Sequence, residues 1–506
     1  MWLAPSASWL PQWLARRAAL SPQSLALRAP EGEWTWSQLL DDCDRLARQL
    51  AGFAVSPGAR VAVLLHNGAP FVQALHALSR LGAVLVPLNW RLTPAELQWQ
   101  VCHCGARLLL IDRSTDELAM AVAAGVPELL VLAVEDGTPF PSIAAAPEHE
   151  VVLLTEVDLN AVHSIVYTSG TTGTPKGAVL TYGNHWWNAL GSALNLGLRD
   201  DDCLLAMLPA FHVGGMAIFL RSVLYGCTAI VHRRFDPAGV NRAIDEEGVT
   251  MVSVVAAMLS RMLDQREDCP YPPSLRCVLL GGGPAPRPLL ERCAAHGIPV
   301  VQTYGLTESG SQAVTLAPSE ALRKLGAAGK PLFPVQLSVC VDGREATSGE
   351  TGEIWLRGPS ISPGYLSVNG IEWRQPGEWL HTGDLGWIDA EGYLYVSDRR
   401  DDLIISGGEN VAPAEVEAVL LSHPAVAEAG VTGLTSARWG QVPVAAIVLR
   451  AAAALTPADD LIDFCAARLG RYKVPVEVMI VSQLPRTASG KVQRRLLRDL
   501  PWRATA

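Results

Sequence analysis

Charge, long apolar runs and cysteine are all scarce in this 506-residue sequence. Charged residues make up 18% of the chain and the formal net charge is -10, which gives no long-range attraction toward nucleic acid or an anionic membrane. Any polyanionic ligand must therefore be held locally. No stretch reaches the roughly 18 uninterrupted apolar residues that a membrane span requires, and the most apolar segment, 214–231, is interrupted by Arg221. We expect a soluble protein.

The cysteines and the start of the chain argue against secretion. Ten cysteines scattered from Cys43 to Cys465 suit reduced thiols better than a disulfide framework. Residues 1–14 do not resemble a signal peptide, because no basic region precedes a long apolar core. The cluster 102–104, Cys-His-Cys, has no second ligand pair at zinc-like spacing, so its role is left open. These features predict a cytoplasmic location.

Short apolar runs rich in β-branched residues alternate with longer helical patterns in the first part of the chain. That alternation predicts an α/β fold in which stacked, mostly parallel sheets are covered by helices. The segment 119–148 is rich in alanine, proline and acidic residues, and is predicted to be a surface excursion. The apolar runs are 61–65, 84–86 and 108–111, and the helical patterns are 36–50 and 71–81.

The sequence pattern changes twice further along the chain. From about Val335, glycine- and aspartate-containing turns separate short apolar runs, which predicts a small β-rich subdomain of antiparallel strands. After residue 402, the pattern is that of an α+β unit of about 100 residues, large enough for an independent domain. We therefore expect a large N-terminal domain over 1–398 and a small C-terminal domain over 402–506.

The strongest local signal is the segment 164–177, Ser-Ile-Val-Tyr-Thr-Ser-Gly-Thr-Thr-Gly-Thr-Pro-Lys-Gly. An apolar strand runs directly into a loop with three glycines, five hydroxyl side chains and one lysine. Such a composition surrounds phosphate oxygens with N–H and O–H donors and a cation. It is not a Walker loop, because Pro175 precedes Lys176 and Gly177 follows it. Composition alone leaves open a polar glycine-rich turn without a ligand.

This string resembles the signature of the adenylate-forming superfamily, which includes acyl-CoA synthetases, firefly luciferase and the adenylation domains of peptide synthetases. Four further blocks occur in that family's order, so the resemblance spans nearly the whole chain. They look like an adenine and magnesium segment at 302–308 (Gln-Thr-Tyr-Gly-Leu-Thr-Glu), a ribose segment at 379–384 (Trp-Leu-His-Thr-Gly-Asp), an interdomain hinge segment at 395–410, and a terminal lysine motif at 485–491 (Pro-Arg-Thr-Ala-Ser-Gly-Lys).

The resemblance implies that an acid's oxygen attacks the α-phosphorus of ATP, that pyrophosphate departs, and that the acyl group then passes to coenzyme A. Thr307 and Glu308 would contact the α-phosphate and Mg²⁺, for which a carboxylate is a suitable ligand. Asp384 would accept hydrogen bonds from both ribose hydroxyls, and Tyr304 would stack on adenine. The other residues implied to bind ATP are Thr168, Ser169, Gly170, Thr171, Thr172, Gly173, Thr174, Lys176, Gly282, Gly283, Gly305, Arg399 and Lys491.

The resemblance also implies a domain rotation between the two half-reactions. Lys491 would bridge the acid's oxygen and the α-phosphate during adenylation. The alternative is that Lys491 and the arginines after it lie on the solvent-exposed face of a helix and have no catalytic role. Asp401 falls on the family's hinge position, within a hinge at 399–401. The second pose would bring Gly407 and Gly408 to coenzyme A. The implied catalytic residues are Lys491, Glu308, Thr307 and Lys176, and the implied metal ligand is Glu308.

The acid substrate is indicated by the segment 208–226. Peptide-synthetase domains normally place an aspartate just after the Phe of this segment, whereas His212 occupies that place here, which disfavours an amino acid substrate. Among bacterial CoA ligases, the sequence looks most like those that act on 2-succinylbenzoate in menaquinone synthesis. The residues that carry this second resemblance lie at 208–215, 221–226, 304–312 and 324–334.

2-Succinylbenzoate is an aromatic dicarboxylate, and only one of its carboxylates reacts. The other must be matched by a buried cation or by good hydrogen-bond donors. We expect Arg221 to supply that cation, while an arginine that snorkels to the surface is the alternative. The predicted substrate-binding residues are His212, Arg221, Ser309 and Ser311.

Other functions of the same scaffold stay open at this point. An aryl or a medium- or long-chain fatty acid–CoA ligase would have an apolar pocket, which does not need Arg221. Luciferase-type oxidation is a side reaction of the same fold, and a catalytically silent nucleotide-binding protein is a more remote alternative. The expected ligands are a small carboxylic acid, ATP, Mg²⁺ and coenzyme A. No nucleic-acid partner, membrane span or tightly bound prosthetic group is expected, and a homodimer is left open.

Overall fold

The first part of the chain forms strands and helices where the sequence predicts them. The predicted strand at 108–111 is observed over Leu108–Ile111, and the predicted helices are observed over Trp36–Ala51 and Ala69–Leu81. A computed structural model describes the protein over residues 8–168, 175–267, 269–283, 285–399, 402, 404–406, 409–411, 413–436, 439–450, 456–469, 471–486 and 492–503.

Local signals explain where several helices begin. Thr35 and Gln38 form a capping box at the start of one helix, and Thr181 and Asn184 form another at the start of the helix that follows the predicted phosphate loop. The elements up to residue 196 are β1 (Trp9–Pro11), α1 (Trp13–Leu20), β2 (Leu25–Ala29), β3 (Gly32–Thr35), α2 (Trp36–Ala51), β4 (Arg60–Leu64), α3 (Ala69–Leu81), β5 (Val84–Pro87), α4 (Pro94–Cys104), β6 (Leu108–Ile111), α5 (Asp116–Gly125), β7 (Leu130–Ala133), β8 (Glu156–Asp158), β9 (Val162–Thr168), β10 (Lys176–Thr181) and α6 (Tyr182–Leu196).

A second run of alternating strands and helices follows. It continues into antiparallel strands, so the predicted change of pattern near Val335 is confirmed. The elements are β11 (Cys203–Ala206), α7 (Val213–Tyr225), β12 (Thr228–Val231), α8 (Pro237–Glu246), β13 (Met251–Val254), α9 (Ala256–Arg266), β14 (Cys277–Leu280), α10 (Arg287–Ala295), β15 (Val300–Tyr304), β16 (Val314–Leu316), β17 (Ala327–Pro331), β18 (Gln336–Val341), β19 (Arg344–Glu345), β20 (Gly352–Arg357), β21 (Gly364–Ser367), β22 (Gly370–Trp373), β23 (Leu380–Ile388) and β24 (Leu394–Arg399).

Two large sheets organise these strands. Among the described strands, one sheet has the order β22-β21-β10-β9-β5-β4-β6-β7, with parallel pairing from β9 to β7. The other has the order β19-β18-β20-β23-β24-β17-β16-β15-β14-β13-β11-β12-β2-β3, and is parallel from β15 to β2. The β-rich unit is therefore joined edge to edge to the second sheet, through the pairing of β17 with β24.

Helices cover both faces of each sheet. Buried side chains of α1, α2, α3 and α7 pack between the two sheets, those of α4 and α5 cover the outer face of the first sheet, and those of α8, α9 and α10 cover the outer face of the second. Strands with both faces buried read as continuous apolar runs, which is why their sequences lack alternation. The predicted α/β class is confirmed, and it matches the solved relatives described below.

The predicted surface excursion at 119–148 is wrong in its first half. Ala119 and Val122 on α5 are fully buried against the first sheet, and β7 is the edge strand of that sheet. Ala119 is a small residue that packs in the core beneath this sheet, whereas Ala124 in the same helix is exposed, so alanine content was a poor guide to exposure.

The chain after residue 402 has a sheet of its own. Its core lies between this sheet and two helices, and Arg494 on the last helix binds Glu417 and Asp402 through ion pairs of 2.7 and 3.1 Å. The elements are β25 (Ile404–Ser406), β26 (Glu409–Val411), α11 (Pro413–Leu421), β27 (Val426–Ser436), β28 (Gly440–Leu449), α12 (Ala458–Ala466), β29 (Glu477–Ile480) and α13 (Arg494–Leu497).

Candidate active site

The loop that the sequence predicts to bind phosphate closes a β-hairpin. β9 ends at Thr168 and β10 begins at Lys176, and these two residues face each other across the antiparallel pair. The loop therefore leads into a strand, whereas a Walker loop leads into a helix. Six of the predicted ATP-binding residues lie outside the described residues: Ser169, Gly170, Thr171, Thr172, Gly173 and Thr174.

One tyrosine, Tyr365, contacts both Lys176 at the end of this loop and the predicted magnesium ligand Glu308. β21 pairs with β10 and places Tyr365 opposite Ala178. The Tyr365 hydroxyl donates a hydrogen bond of 2.8 Å to Glu308 Oε1, and Lys176 Nζ lies 5.7 Å from the centroid of the Tyr365 ring. The backbone N–H of Ser362 donates to the Glu308 carbonyl at 2.6 Å. The carboxylate is thus oriented toward the side of the site that carries the phosphate loop.

Arg374 is a second cation beside Glu308, and the sequence analysis missed it. It follows β22, and its Nε and Nη1 atoms are buried without a hydrogen-bond partner in the described part of the chain. Burial lowers the pKa of Arg374, while Tyr365 and the carboxylates of Glu378 and Glu308 act in the opposite direction. Only the strand pairing brings Arg374 close to Glu308, so the sequence contains no local signal for it.

Tyr304 and Asp384, the predicted adenine and ribose residues, are in direct contact. The Tyr304 hydroxyl donates a hydrogen bond of 2.7 Å to Asp384 Oδ2, and Asp384 is 5% exposed. Tyr304 is the last residue of β15, and Asp384 lies on β23 with its backbone N–H bonded to Thr382 Oγ1 at 3.0 Å. Two segments 80 residues apart are therefore joined at one point of the second sheet.

Two of the predicted ATP-binding glycines have a structural reason to be glycine. A Cβ at Gly305 would overlap the backbone carbonyl of Ser311, so the chain crosses itself too closely for any side chain. Gly282 has a φ of 83°, in the left-handed region that favours glycine. At Gly283, by contrast, no atom lies within 4 Å of an added Cβ, which leaves open space beside the backbone where the base is predicted to bind.

Arg221, the predicted partner of the acid's second carboxylate, is buried rather than snorkelling. It is 6% exposed on α7, and its Nη2 donates a hydrogen bond of 2.6 Å to Asn188 Oδ1 on α6. Among the described residues no carboxylate acts on its charge, and its Nε has no hydrogen-bond partner there. Burial lowers the pKa of Arg221. The protein therefore holds an uncompensated positive charge inside, beside a small cavity between α6, α7 and the second sheet.

The other predicted substrate-binding residues differ in their placement. Ser309 is fully buried, and its hydroxyl is used within the turn, where it accepts from Leu306 N–H at 2.9 Å. Ser311 has a φ of 122°, a strained conformation for a residue with a side chain and one that is common at functional sites. His212 caps α7 and packs against the Phe211 ring. It lies about 13 Å from Arg221 along the helix axis, so the two do not form one cluster.

Gln312 is a further buried polar group next to the predicted acid-binding residue Ser311. It is fully buried, and neither polar atom of its amide has a hydrogen-bond partner in the described ranges. A buried amide without partners is rare in a native protein and indicates a missing polar ligand or water.

The Cys-His-Cys cluster at 102–104 does not converge on a point. His103 Nδ1 lies 2.8 Å from the Tyr167 hydroxyl, while Cys102 is exposed and Cys104 is buried. Burial raises the pKa of the Cys104 thiol to about 11, which disfavours the thiolate that a metal would need. Within the described residues, no group of three histidine, cysteine or acidic side chains could hold a metal ion.

Several predicted residues of the small domain and hinge cannot be placed. Lys491, Asp401, Gly407 and Gly408 lie outside the described residues. The backbone of Arg399 is described: it pairs with Asp384 across β23 and β24, which places it next to the predicted ribose site. Its side chain is not among the described parts of the structure.

Over the described ranges, no helix has both the length and the apolar character needed to cross a membrane.

The sequence matches two family models along its length. Residues 14–366 match the model described as AMP-binding enzyme, and residues 415–491 match the model described as AMP-binding enzyme C-terminal domain. The described site residues from Thr168 to Tyr365 lie within the first match.

Individual relatives cover almost the whole chain. A 2-succinylbenzoate–CoA ligase of Geobacillus kaustophilus (strain HTA426) is 50% identical over 474 residues, which is 92% of this chain and 93% of the relative. Two solved structures of o-succinylbenzoate CoA synthetase (MenE) from Bacillus subtilis are 42% identical. The complex with the acyl-adenylate intermediate OSB-AMP has a TM-score of 0.89 and covers 97% of this chain and 98% of that one. The complex with ATP and magnesium ion has a TM-score of 0.88 and covers 97% and 100%.

Proposed function

The chain belongs to the AMP-binding enzyme family, and from that premise we propose that it is an AMP-forming acid–CoA ligase that converts 2-succinylbenzoate into 2-succinylbenzoyl-CoA in menaquinone synthesis. The relatives described above carry the same activity in their names, at 42 to 50% identity over more than nine-tenths of the chain.

Adenylation is the first half-reaction. One carboxylate oxygen of the acid attacks the α-phosphorus of ATP, the bond to the bridging oxygen breaks, and pyrophosphate leaves with that electron pair. The protein mainly positions the groups and neutralises the developing charge. Asp384 would accept from the ribose hydroxyls, and the Tyr304 hydroxyl already orients its carboxylate. Lys176 and Arg374 would supply positive charge beside the departing phosphates.

Glu308 fits the ligand set of a magnesium ion. Its carboxylate is oriented by the Tyr365 hydroxyl and lies next to the phosphate-loop hairpin. Magnesium in nucleotide sites takes one or two carboxylates and fills its other positions with phosphate oxygens and water. When bound, the ion would neutralise phosphate charge; the protein's contribution is to hold Glu308 in place through Tyr365 and Ser362.

Thioester formation is the second half-reaction. The sulfur of coenzyme A attacks the acyl carbon of the adenylate, AMP leaves with the former carboxylate oxygen, and the thiol proton passes to solvent. The residues predicted for this step, Gly407 and Gly408, and the hinge residue Asp401 lie outside the described residues. The domain division at 1–398, 399–401 and 402–506, and the rotation about the hinge, are therefore part of the proposal.

Within the structure, the observation that supports this choice of acid is the buried charge of Arg221. A buried cation without an anionic partner is costly, and the cost is recovered when a ligand brings the anion. Benzoate and octanoate have one carboxylate each, and adenylation uses it. 2-Succinylbenzoate retains a second carboxylate, which would pair with Arg221.

Pyrophosphate release tests the proposal. The protein is incubated with ATP, Mg²⁺, coenzyme A and either 2-succinylbenzoate, benzoate or octanoate, and kcat/KM is measured for each acid. We expect 2-succinylbenzoate to be preferred by at least about 30-fold, since a buried charge pair contributes roughly 2–5 kcal/mol. Equal or better use of octanoate would favour a fatty acid ligase instead. If none of the three acids increases pyrophosphate release, the result would favour a catalytically silent nucleotide-binding protein.

Lys491→Ala separates the half-reactions. Its predicted role is confined to adenylation, so we expect loss of pyrophosphate release while supplied acyl-adenylate is still converted to the thioester. Loss of both steps by the same factor would contradict that role.

Cellular location and assembly are also part of the proposal. All ten cysteines fall within the described ranges and each is a free thiol, which fits a reducing cytoplasm. Self-association into a homodimer stays a prediction, and size-exclusion chromatography with light scattering tests it.

A further inference from the structure

Asn188 makes three hydrogen bonds that join three parts of the site. The residue lies on α6 and is 2% exposed. Its Oδ1 accepts from Arg221 Nη2 at 2.6 Å, and its Nδ2 donates to the carbonyls of Ser309 and Gln312, each at 2.8 Å. The sequence gives no hint of this role, because the partners are 33, 121 and 124 residues away.

These three bonds fix the orientation of the amide. An asparagine side chain has two N–H donors and one carbonyl acceptor, and all three functions are used here. Turning the amide over would place an NH₂ group against the Arg221 guanidinium and an oxygen against two carbonyls. Only one orientation is therefore compatible with the surroundings, and Arg221 Nη2 is held in one position.

The hydrogen-bond partner of Arg221 is a neutral amide, so the positive charge of the guanidinium is not neutralised. An arginine has an ordinary pKa of 12.5, so it stays cationic even where burial lowers the pKa. A carboxylate at position 188 would neutralise this charge inside the protein. A carbamoyl oxygen instead satisfies one N–H donor and leaves the net positive charge available to an incoming anion.

The other end of the amide holds the segment that carries Glu308. Ser309 follows Glu308 directly and Gln312 lies four residues after it, and Asn188 binds the carbonyls of both. Ser311 between them has a left-handed φ of 122°, so this turn needs external contacts to keep its shape. Asn188 thus links the acid-binding cation on α7 to the turn beside the predicted magnesium ligand.

From these contacts we infer that Asn188 is a positioning residue. It orients the Arg221 guanidinium toward the second carboxylate of a dicarboxylic acid and does not neutralise the positive charge. Through its Nδ2 atom, Asn188 also fixes the position of the turn at 309–312 relative to Arg221. The inference rests on the proposed function, because the ligand it serves is the second carboxylate of that substrate.

Two variants separate the parts of this role. Asn188→Ala removes all three hydrogen bonds. Asn188→Asp keeps the acceptor for Arg221 and nearly the same shape, adds a negative charge, and loses the two donors to the Ser309 and Gln312 carbonyls, as Asn188→Ala does. With Asn188→Ala we expect KM for 2-succinylbenzoate to rise about 10-fold while KM for benzoate changes less than about 2-fold. With Asn188→Asp we expect a larger rise for 2-succinylbenzoate, about 30-fold or more, because the new carboxylate occupies the charge that the substrate needs.

Asn241→Ala is the matched control. Asn241 is also a buried helical asparagine whose amide joins two elements, since Nδ2 donates to the Met262 carbonyl at 3.0 Å and Oδ1 accepts from Tyr271 at 2.8 Å. Neither of these partners is a predicted site residue. We expect it to lower the denaturation midpoint as Asn188→Ala does, and to leave the ratio of the two KM values unchanged.

The outcomes distinguish this inference from the proposed function. Wild-type turnover of 2-succinylbenzoate decides the proposed function, whereas the ratio of KM values in the variants decides the role of Asn188. Equal loss for both acids in Asn188→Ala and Asn188→Asp would mean that the residue is only structural. An Asn188→Asp enzyme with wild-type selectivity would overturn the inference even if the substrate is correct. If Asn188→Ala does not fold, Asn188→Ser gives the same ratio of KM values, because its small hydroxyl adds no charge and can still donate to one of the two carbonyls.

Discussion

The two ends of the site are built in opposite ways. At the acid end, Arg221 is buried, its neighbours are neutral amides, and its charge has no anionic partner among the described residues. At the nucleotide end, Lys176 is exposed, and the carboxylates of Glu308 and Asp384 are each bound by a tyrosine hydroxyl. The predicted acid end therefore presents a single buried charge without an anionic partner, whereas the predicted nucleotide end presents several charges of both signs, of which Lys176 is exposed and Asp384 is buried.

The difference corresponds to the two tasks of the enzyme. A buried charge discriminates strongly, because a ligand without the matching anion leaves the charge unpaired. Several charges, with the cation of Lys176 exposed to water, suit a triphosphate, which is held by many contacts and must later release pyrophosphate. We therefore expect changes at the nucleotide end to affect all acids alike, and changes at the acid end to alter the choice of acid.

The largest effect is expected for Glu308→Gln. Loss of the carboxylate removes the predicted magnesium ligand, and kcat for pyrophosphate release should fall by roughly 10²–10³, the range seen when one charge-stabilising group is removed from an active site. The factor should be the same for 2-succinylbenzoate and benzoate. Glu372→Gln, an exposed glutamate on β22, is the control. A selective loss for one acid would contradict the separation of the two ends.

Arg221→Met tests the acid end. Methionine keeps most of the volume and removes the charge, so KM for 2-succinylbenzoate should rise about 30-fold or more, with little change for benzoate. Arg17→Met is the control, because Arg17 binds the carbonyls of Val223 and Leu224 at the end of the same helix, at 2.9 Å each, but does not line the site. A parallel rise for both acids would show that Arg221 is structural.

The dependence of the free energy of unfolding on pH tests the burial of three histidines, one of which lies near Arg221. His76, His163 and His185 are buried, and His185 lies close enough to Arg221 for the guanidinium to lower its pKa further. Burial lowers the pKa of His76 to about 4 and that of His185 to about 3, and lowers the pKa of His163 in the same direction. The folded state thus keeps these rings neutral at a pH where the unfolded chain, with an ordinary pKa of 6.5, binds protons.

The sign of the pH effect follows directly. The stabilisation is complete above about pH 6.5 and is lost as the pH falls from there toward 4, by roughly 1.4 kcal/mol per pH unit for each ring. Between pH 7.5 and 5.0 we expect a loss of about 2 kcal/mol from His76 alone. Denaturation midpoints measured over that range check this, and His76→Gln should reduce the pH dependence. A midpoint independent of pH would contradict the prediction.

The smallest effect is expected for Tyr365→Phe. This change removes the hydrogen bond that orients Glu308 and keeps the ring near Lys176. A hydrogen bond to a charged group contributes about 1.5 kcal/mol at the lower limit, so kcat should fall about 10-fold without any change in the preference among acids. Tyr393→Phe, whose hydroxyl binds Glu320 on the surface at 3.1 Å, is the control. A changed acid preference in Tyr365→Phe would break the comparison between the two ends.

Much of the fold and the general reaction could be predicted from the sequence. The alternating apolar runs reflect local strand and helix formation, and five motifs in a fixed order identify the family without reference to any contact. Arg221 could be singled out because a charge in an otherwise apolar segment is unusual. The prediction of a surface excursion at 119–148 was wrong in its first half. Small residues are common both on surfaces and in tight packing against a sheet, and composition does not distinguish the two environments.

The sequence by itself determined the α/β class, the phosphate-loop hairpin residues, the family and the class of reaction, since each depends on short local patterns. Only the tertiary structure decided that Asn188 holds Arg221, that Tyr365 and Arg374 flank Glu308, and that Tyr304 binds Asp384. These contacts join residues from 33 to 80 positions apart, or strands that pair across a sheet. Such pairings are set by how the sheets and helices pack together, and no local pattern in the chain records them.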